Sequence, residues 1–224
     1  MASNPFSDPA AVASYVERAH RMVPGLGVLH GIVDQVLAES VPQDGRILVV
    51  GAGGGLELKH FAQHHDGWTF DGVDPSEPML ALARVTMGAL GSRASLHEGD
   101  VTIAPDGPFD AATCLLTLHF LDQAERLETL CAIRRRLRPG APFLTFHHSV
   151  PVDGARRTRF ERFARFSAGP DTPPEDVSRT GAALASQLPM VGPEADEGLL
   201  LEAGFRSVEV YYSALTLRGW LAYA

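Results

Sequence analysis

Apolar and polar positions change period repeatedly along this chain. Short continuous runs of aliphatic and β-branched residues alternate with longer stretches in which apolar residues recur every three or four positions. The first kind predicts strands buried on both faces, and the second predicts amphipathic helices. Residues 1–9, with Pro5 and Pro9, read as a loose arm, and the period over about 10–22 is helical until Pro24-Gly25 stops it. A second helix carries Leu26, Leu29, Val33, Val36 and Leu37 on one face, and Pro42 and Gly45 break the chain after it. The first strand is Ile47-Leu48-Val49-Val50. A helix over about 55–65 follows, then a strand over 68–74, then a helix capped by Ser76 that runs to about Met87. Residues 95–100 predict a short third strand and 109–118 a fourth. Asp122 caps a long helix ending at Leu137-Arg138-Pro139-Gly140, and 141–147 form a fifth strand.

Strand–helix alternation of this kind implies an α/β fold with a parallel, doubly wound sheet and right-handed crossovers. The rhythm then changes. Residues 153–190 hold two helical patches joined by a Pro-rich break, too long for a simple loop, and read as a helical insertion that could act as a lid. A short helix over 193–203 closes at Gly204, and 205–212 and 214–223 predict a terminal hairpin, so one strand runs antiparallel. The expected organisation is an N-terminal helical extension, 1–45, and a Rossmann-like domain, 46–224. Whether the two leading helices pack on a sheet edge or cover a ligand is left open by the residues.

Composition narrows the classes. The 224 residues suffice for one large domain with a full core. Net charge is -8, with Asp+Glu 27 against Lys+Arg 19, a balance not built for non-specific nucleic-acid binding, although a local basic patch stays open. Two cysteines give no disulfide framework. The N-terminus has no basic or apolar leader region, and no apolar run approaches the roughly 18 residues that a membrane span needs. A cytoplasmic location is expected.

The chemistry begins at Gly51-Ala52-Gly53-Gly54-Gly55, where a strand turns sharply into a helix. Glycines there let a ligand approach the main chain. A dinucleotide turn wants a third glycine where this chain has Leu56. Asp74, at the end of the second strand and a little over 20 residues on, suits both hydroxyls of a ribose and disfavours a 2′-phosphate. An ordinary helix-start acid before Pro75 is the plainer alternative. Asp100, after Gly99, could accept from an exocyclic amine. Three such positions at the carboxyl ends of consecutive strands lie along one crevice.

In these residues the chain resembles the class I S-adenosylmethionine-dependent methyltransferases. The resemblance runs over 47–146 and rests on 47–55, Gly72-Val73-Asp74-Pro75-Ser76-Glu77-Pro78-Met79-Leu80, Gly99-Asp100-Val101, Phe109-Asp110-Ala111-Ala112 and Leu137-Arg138-Pro139-Gly140. It implies a seven-stranded sheet in the order 3-2-1-4-5-7-6 and S-adenosylmethionine as cofactor. Gly51, Ala52 and Gly53 would face its methionyl part. Asp74 would bind the ribose, with Pro75 beside it. Met79 would pack on the adenine, Asp100 and Val101 would hold the amine and ring edge, and Leu115 and Leu116 would pass under the sulfonium. One departure stands out: the family usually has an acid where this chain has Val49. A narrower resemblance, in Val23-Pro24-Gly25, the 116–121 run and the closing hairpin, is to the carboxy-S-adenosylmethionine synthases. It implies an arginine and a tyrosine for an extra carboxylate. Arg179 and Tyr15 lie in roughly suitable segments, while Leu115 replaces that branch's asparagine.

Methyl transfer asks the protein mainly for position, and for a base only if the acceptor must lose a proton. His119, after strand four, and His147 and His148, after strand five, are expected at the ligand end of the sheet, His119 and His147 as bases and His148 with Tyr15 and Arg179 toward the substrate. A packed core histidine is the plainer alternative for each. No H-E-x-x-H or C-x-x-C pattern occurs, so no metal site is expected. The insertion's arginines, from Arg156 to Arg165, read as a solvated face opposite a buried face of Phe160, Phe163 and Phe166. The expected acceptor is a small, partly apolar molecule, and a homodimer stays open. A cofactor-binding module without catalysis is the remaining alternative.

Overall fold

The structure, a computed structural model, describes residues 14–224. Residues 10–13 of the first expected helix, and the arm before them, lie outside this range. The chain begins with α1 (Tyr15–Met22) and α2 (Leu26–Ala38), then alternates through β1 (Arg46–Val50), α3 (Leu56–His64), β2 (Thr69–Asp74), α4 (Glu77–Met87), β3 (Ala94–Glu98), β4 (Ala111–Leu115), α5 (Gln123–Arg136) and β5 (Pro142–His148). The insertion forms α6 (Arg156–Ser167) and α7 (Pro174–Gln187), followed by α8 (Pro193–Glu202) and the hairpin β6 (Arg206–Ala214) and β7 (Leu217–Tyr223).

The seven strands form one sheet in the order β3-β2-β1-β4-β5-β7-β6, as the resemblance implied. β1 to β5 pair in parallel, and β7 pairs antiparallel with β5 and with β6. Punctuation residues act where expected. Ser76 Oγ accepts from Met79 N at the start of α4, and Asp122 and Glu125 cap α5 reciprocally. Because strand residues alternate between faces, β1 supplies Ile47 and Val49 to one core and Leu48 and Val50 to the other. The first core also takes Ala19, Val23, Leu26, Leu29, Val33 and Leu37 from the leading helices, together with Phe160 and Phe163 from α6. The leading helices therefore cover a face rather than an edge. The Tyr212 phenol, on β6, donates to the Pro24 carbonyl between α1 and α2 and ties the hairpin to them.

One expectation about the insertion is corrected. Phe160 and Phe163 are buried, but Phe166 is exposed and Ala164 takes the inward position. A repeat of three residues drifts around a helix with 3.6 residues per turn, so the third phenylalanine leaves the buried stripe. The insertion's arginines spend themselves locally: Arg157 pairs with Glu161, and Arg159 with Asp153. Arg136, in the basic end of α5, is a buried strut that donates to the carbonyls of Thr102, Ala104 and Ala132.

Candidate functional site

A crevice opens at the carboxyl ends of β1, β2, β4 and β5. One part, a cavity of about 330 Å³, is bounded by the glycine turn, Asp74, Met79, the segment after β4, and Tyr15, Ala19, Met22 and Val23 of the leading helices. Another part, about 700 Å³, shares Gly51, Pro75, Thr117 and Leu121 with the first and runs past Gly99, Asp100 and Val101. A side cavity of about 30 Å³ lies behind the turn, between Ala52, Glu57, His30 and Tyr15.

The turn is built by backbone geometry. Gly51 and Ala52 both donate to the Val73 carbonyl, so β1 passes its end to β2 as it turns. Gly55, at φ +76°, starts α3, and a side chain there would strike the Ala83 backbone of α4 at 2.9 Å. Asp74 Oδ2 accepts from Gly53 N and Oδ1 from Ser76 N, each at 2.9 Å. Those two bonds fix the carboxylate and leave lone pairs on both oxygens for two further donors. Burial raises the Asp74 pKa, and the two amides oppose it. Leu116, at φ +57°, holds the left-handed region just after β4, a strained conformation that is concentrated at working sites.

Most of the residues singled out in the sequence line this crevice. Tyr15, Gly51, Gly53, Asp74, Pro75, Met79, Leu115, Leu116, His119 and His148 bound the first part, Asp100 and Val101 the second, and Ala52 the side cavity. Two do not. Arg179 is exposed on α7 and pairs with Asp176. His147 points to the opposite face of β5 from His148, where its Nε2 is 3.2 Å from Asp196 Oδ1 and its ring lies 5.1 Å from that of Trp220. The role as a base given to His147 is thereby corrected: adjacent strand residues cannot share a face.

His119 and His148 meet edge to face, with ring centroids 5.0 Å apart. His148 Nδ1 is 2.8 Å from Thr216 Oγ1, whereas His119 Nδ1 is buried with no hydrogen-bond partner. Burial first, and the neighbouring histidines second, hold His119 well below the usual imidazole range and push His148 down to about 3. Both rings are therefore neutral at pH 7. They can accept or donate a hydrogen bond but store a proton poorly.

Phe163, expected on the buried face of the insertion, also lines the cavity, whereas Phe120 and Glu57 were given no role by the sequence. Glu57 is buried on α3, where its Oε1 accepts from Thr113 Oγ1 at 2.6 Å. Burial pushes it up to about 8, with the Thr113 bond opposing. Thr113 is the β4 partner in register with Val49, which is itself wholly buried in apolar core. An acid is thus present beneath the turn, supplied by the helix rather than by the strand. Glu57 looked like an ordinary first-turn acid favoured by the helix dipole, and only its burial sets it apart.

The chemistry of the donor set fits an adenosyl sulfonium. The acceptor carboxylates at Asp74 and Asp100 suit ribose and adenine, and the apolar Met79 and Leu115 suit flat and uncharged surface. A family profile described as a methyltransferase domain matches residues 47–140. The carboxy-S-adenosyl-L-methionine synthase of Campylobacter curvus is 23% identical over 218 residues, 96% of this chain and 93% of that protein. The demethylmenaquinone methyltransferase of Thermus thermophilus is 29% identical over 177 residues, 76% of this chain and 77% of that protein. Among solved structures, a SAM-dependent methyltransferase from Aquifex aeolicus has the same fold, with a TM-score of 0.65, 18% identity, and coverage of 96% of this chain and 98% of that one.

Proposed function

We propose that this chain, a class I S-adenosylmethionine-dependent methyltransferase, methylates a small, uncharged and largely apolar acceptor through a hydroxyl or amine. The observation that carries the reading is the lining of the 330 Å³ cavity: apart from the Asp74 carboxylate, assigned to the ribose, and the hydroxyls of Tyr15, Ser76 and Thr117, it consists of glycine, apolar and aromatic residues and two neutral histidines, with no lysine or arginine. Residues 1–13, outside the described range, contain no lysine or arginine either.

Asp74 would hold the ribose, Pro75 and Met79 the adenosyl body, Asp100 and Val101 the adenine edge, and Gly51, Ala52 and Gly53 the methionyl end. Bound cofactor would supply an electrophilic methyl on a sulfonium. Glu57, with no ion-pair partner among the described residues, would face the cofactor's ammonium end across the side cavity and do the work of the acid absent at Val49. Leu115 and Leu116 exclude water from the reacting end, and α1 and α6 close over the acceptor with Met22 and Phe163. His119 would accept a hydrogen bond from the acceptor's O–H or N–H and orient it. As the methyl leaves the sulfonium for that oxygen or nitrogen, the displaced proton would pass on to bulk water, because a ring held so low does not keep it. Tyr15 closes the wall beside the turn. Burial, with Glu57 and Asp74 nearby, pushes the Tyr15 phenol up to about 12, so it stays neutral.

Synthesis of carboxy-S-adenosyl-L-methionine, the activity named for several curated relatives, would put a second carboxylate beside the sulfonium. The cavity supplies no cation for it, and Arg179 lies outside. Calorimetry with S-adenosylmethionine or S-adenosylhomocysteine tests the cofactor assignment. Asp74→Ala should weaken binding on the order of 10- to 100-fold, the worth of charged hydrogen bonds, and equal binding by the variant would reject it. Mass analysis of the co-purified nucleoside, with a screen of neutral phenols, quinols and amines, tests the acceptor class. A carboxylated nucleoside and no methyl transfer would sink the proposal.

A further inference from the structure

A second cluster of chemistry-bearing side chains lies away from the crevice, where α2 packs against α3. Asp34, His60 and His64 each present one ligand atom, all within 4.8 Å of one another. His60 and His64 are one turn apart on α3, with ring centroids 4.4 Å apart. That is the spacing at which two histidines on a helix hold one metal ion.

The surroundings prepare each ligand. His64 Nδ1 lies 2.7 Å from the His60 carbonyl oxygen. A carbonyl only accepts, so Nδ1 carries the proton and Nε2 presents its lone pair. His60 Nε2 is buried without a hydrogen-bond partner, a costly state that a metal would relieve. Asp34 Oδ1 is held at 2.9 Å by His65 Nε2, whose ring stacks on Trp68 at 3.5 Å.

We propose that Asp34, His60 and His64 bind a divalent zinc ion, with water completing the tetrahedron, and that the ion ties α2 to α3. Two imidazoles and one carboxylate suit zinc, and in affinity zinc ranks above iron and manganese. His64 is exposed, so the ion enters directly from solvent. The clasp would brace α2, which follows directly on α1, the helix whose Tyr15 and Ala19 wall the crevice, and it is independent of what the crevice binds.

The test uses full-length protein without a polyhistidine tag, stripped with a chelator and dialysed. Competition titration with a chromophoric zinc indicator should give one zinc per chain, and added zinc should raise Tm. Cobalt should give the visible absorption of a four- or five-coordinate site. His64→Gln, at an exposed position, should keep the metal-free Tm and weaken zinc about 10-fold or more. His97→Gln, whose parent residue pairs with Asp71 elsewhere, should keep wild-type affinity. No zinc-dependent rise in wild-type Tm, or equal weakening in both variants, overturns the site.

Discussion

His147 and His148 are chain neighbours on the two faces of one strand, and their surroundings differ completely. On the His147 face, Arg126 and Asp196 form a fully buried ion pair, with the histidine ring beside the carboxylate. On the His148 face, two histidines and the side chains of Phe160 and Phe163 form an apolar wall with no compensating charge. Both faces leave a buried imidazole nitrogen without a hydrogen bond, His147 Nε2 on one and His119 Nδ1 on the other. They differ in what lies beside it: His147 faces the buried Asp196–Arg126 pair, whereas His119 lines a cavity. Neither burial nor an unpaired nitrogen marks a histidine open to a ligand; access to a cavity does.

Breaking the first face should have the largest effect. Asp196→Ala leaves Arg126 charged and unpaired in the interior and should cost about 3–5 kcal/mol in urea unfolding. Cofactor affinity of the folded fraction should be unchanged, and a strong loss of affinity would mean that the two faces are coupled. Acid should act next on the second face. His148 is held down to about 3 and His30 to about 4, against 6.5 when exposed. The unfolded chain therefore binds more protons, so stability falls by a few kcal/mol as pH drops from about 6.5 toward 4. His148→Phe should flatten that fall, and an unchanged slope would show that His148 is not held neutral by the fold. His119→Leu keeps bulk and removes the nitrogen. It should lower kcat about 10-fold, the worth of one orienting hydrogen bond, while Tm barely moves, and a large drop in stability would make His119 structural like His147.

Smaller effects sharpen the contrast. Glu57 is held up to about 8, against 4.5 when exposed. Its neutral form is favoured by folding, a contribution present below about 4.5 and lost as pH rises through 8. Glu57→Gln should therefore raise Tm at pH 8 more than at pH 5, yet weaken cofactor binding. A variant that is more stable and binds equally well would remove Glu57 from the site. Arg179→Ala should change stability by no more than about 0.5 kcal/mol and activity not at all.

The fold was legible because its signals are local: apolar runs of strand length, capping residues such as Ser76 and Asp122, and glycines at the turn. The strand-end half of the crevice was legible for the same reason, since Gly51, Asp74 and Asp100 each sit at a strand end that the pattern already marks. The half walled by α1 and α6 was not. Which of two adjacent histidines faces the cavity depends on strand register, and a shift of one residue exchanges them. The burial of Glu57, the exposure of Phe166 and the distance of Arg179 from the cavity all depend on how helices sit against neighbours remote in sequence. The i, i+4 histidines of α3 stand in the sequence, but only the packing of α2 on α3 brings Asp34 beside them.

The bond from Tyr212 to Pro24 spans 188 residues. At the usual pace of synthesis, some 5–20 residues per second, roughly ten to forty seconds separate the emergence of its two ends. The helices that wall the cavity are thus made early and anchored late. On the ribosome, the strand-end half of the crevice, around the glycine turn, can assemble well before the helices that wall its other half are pinned in place.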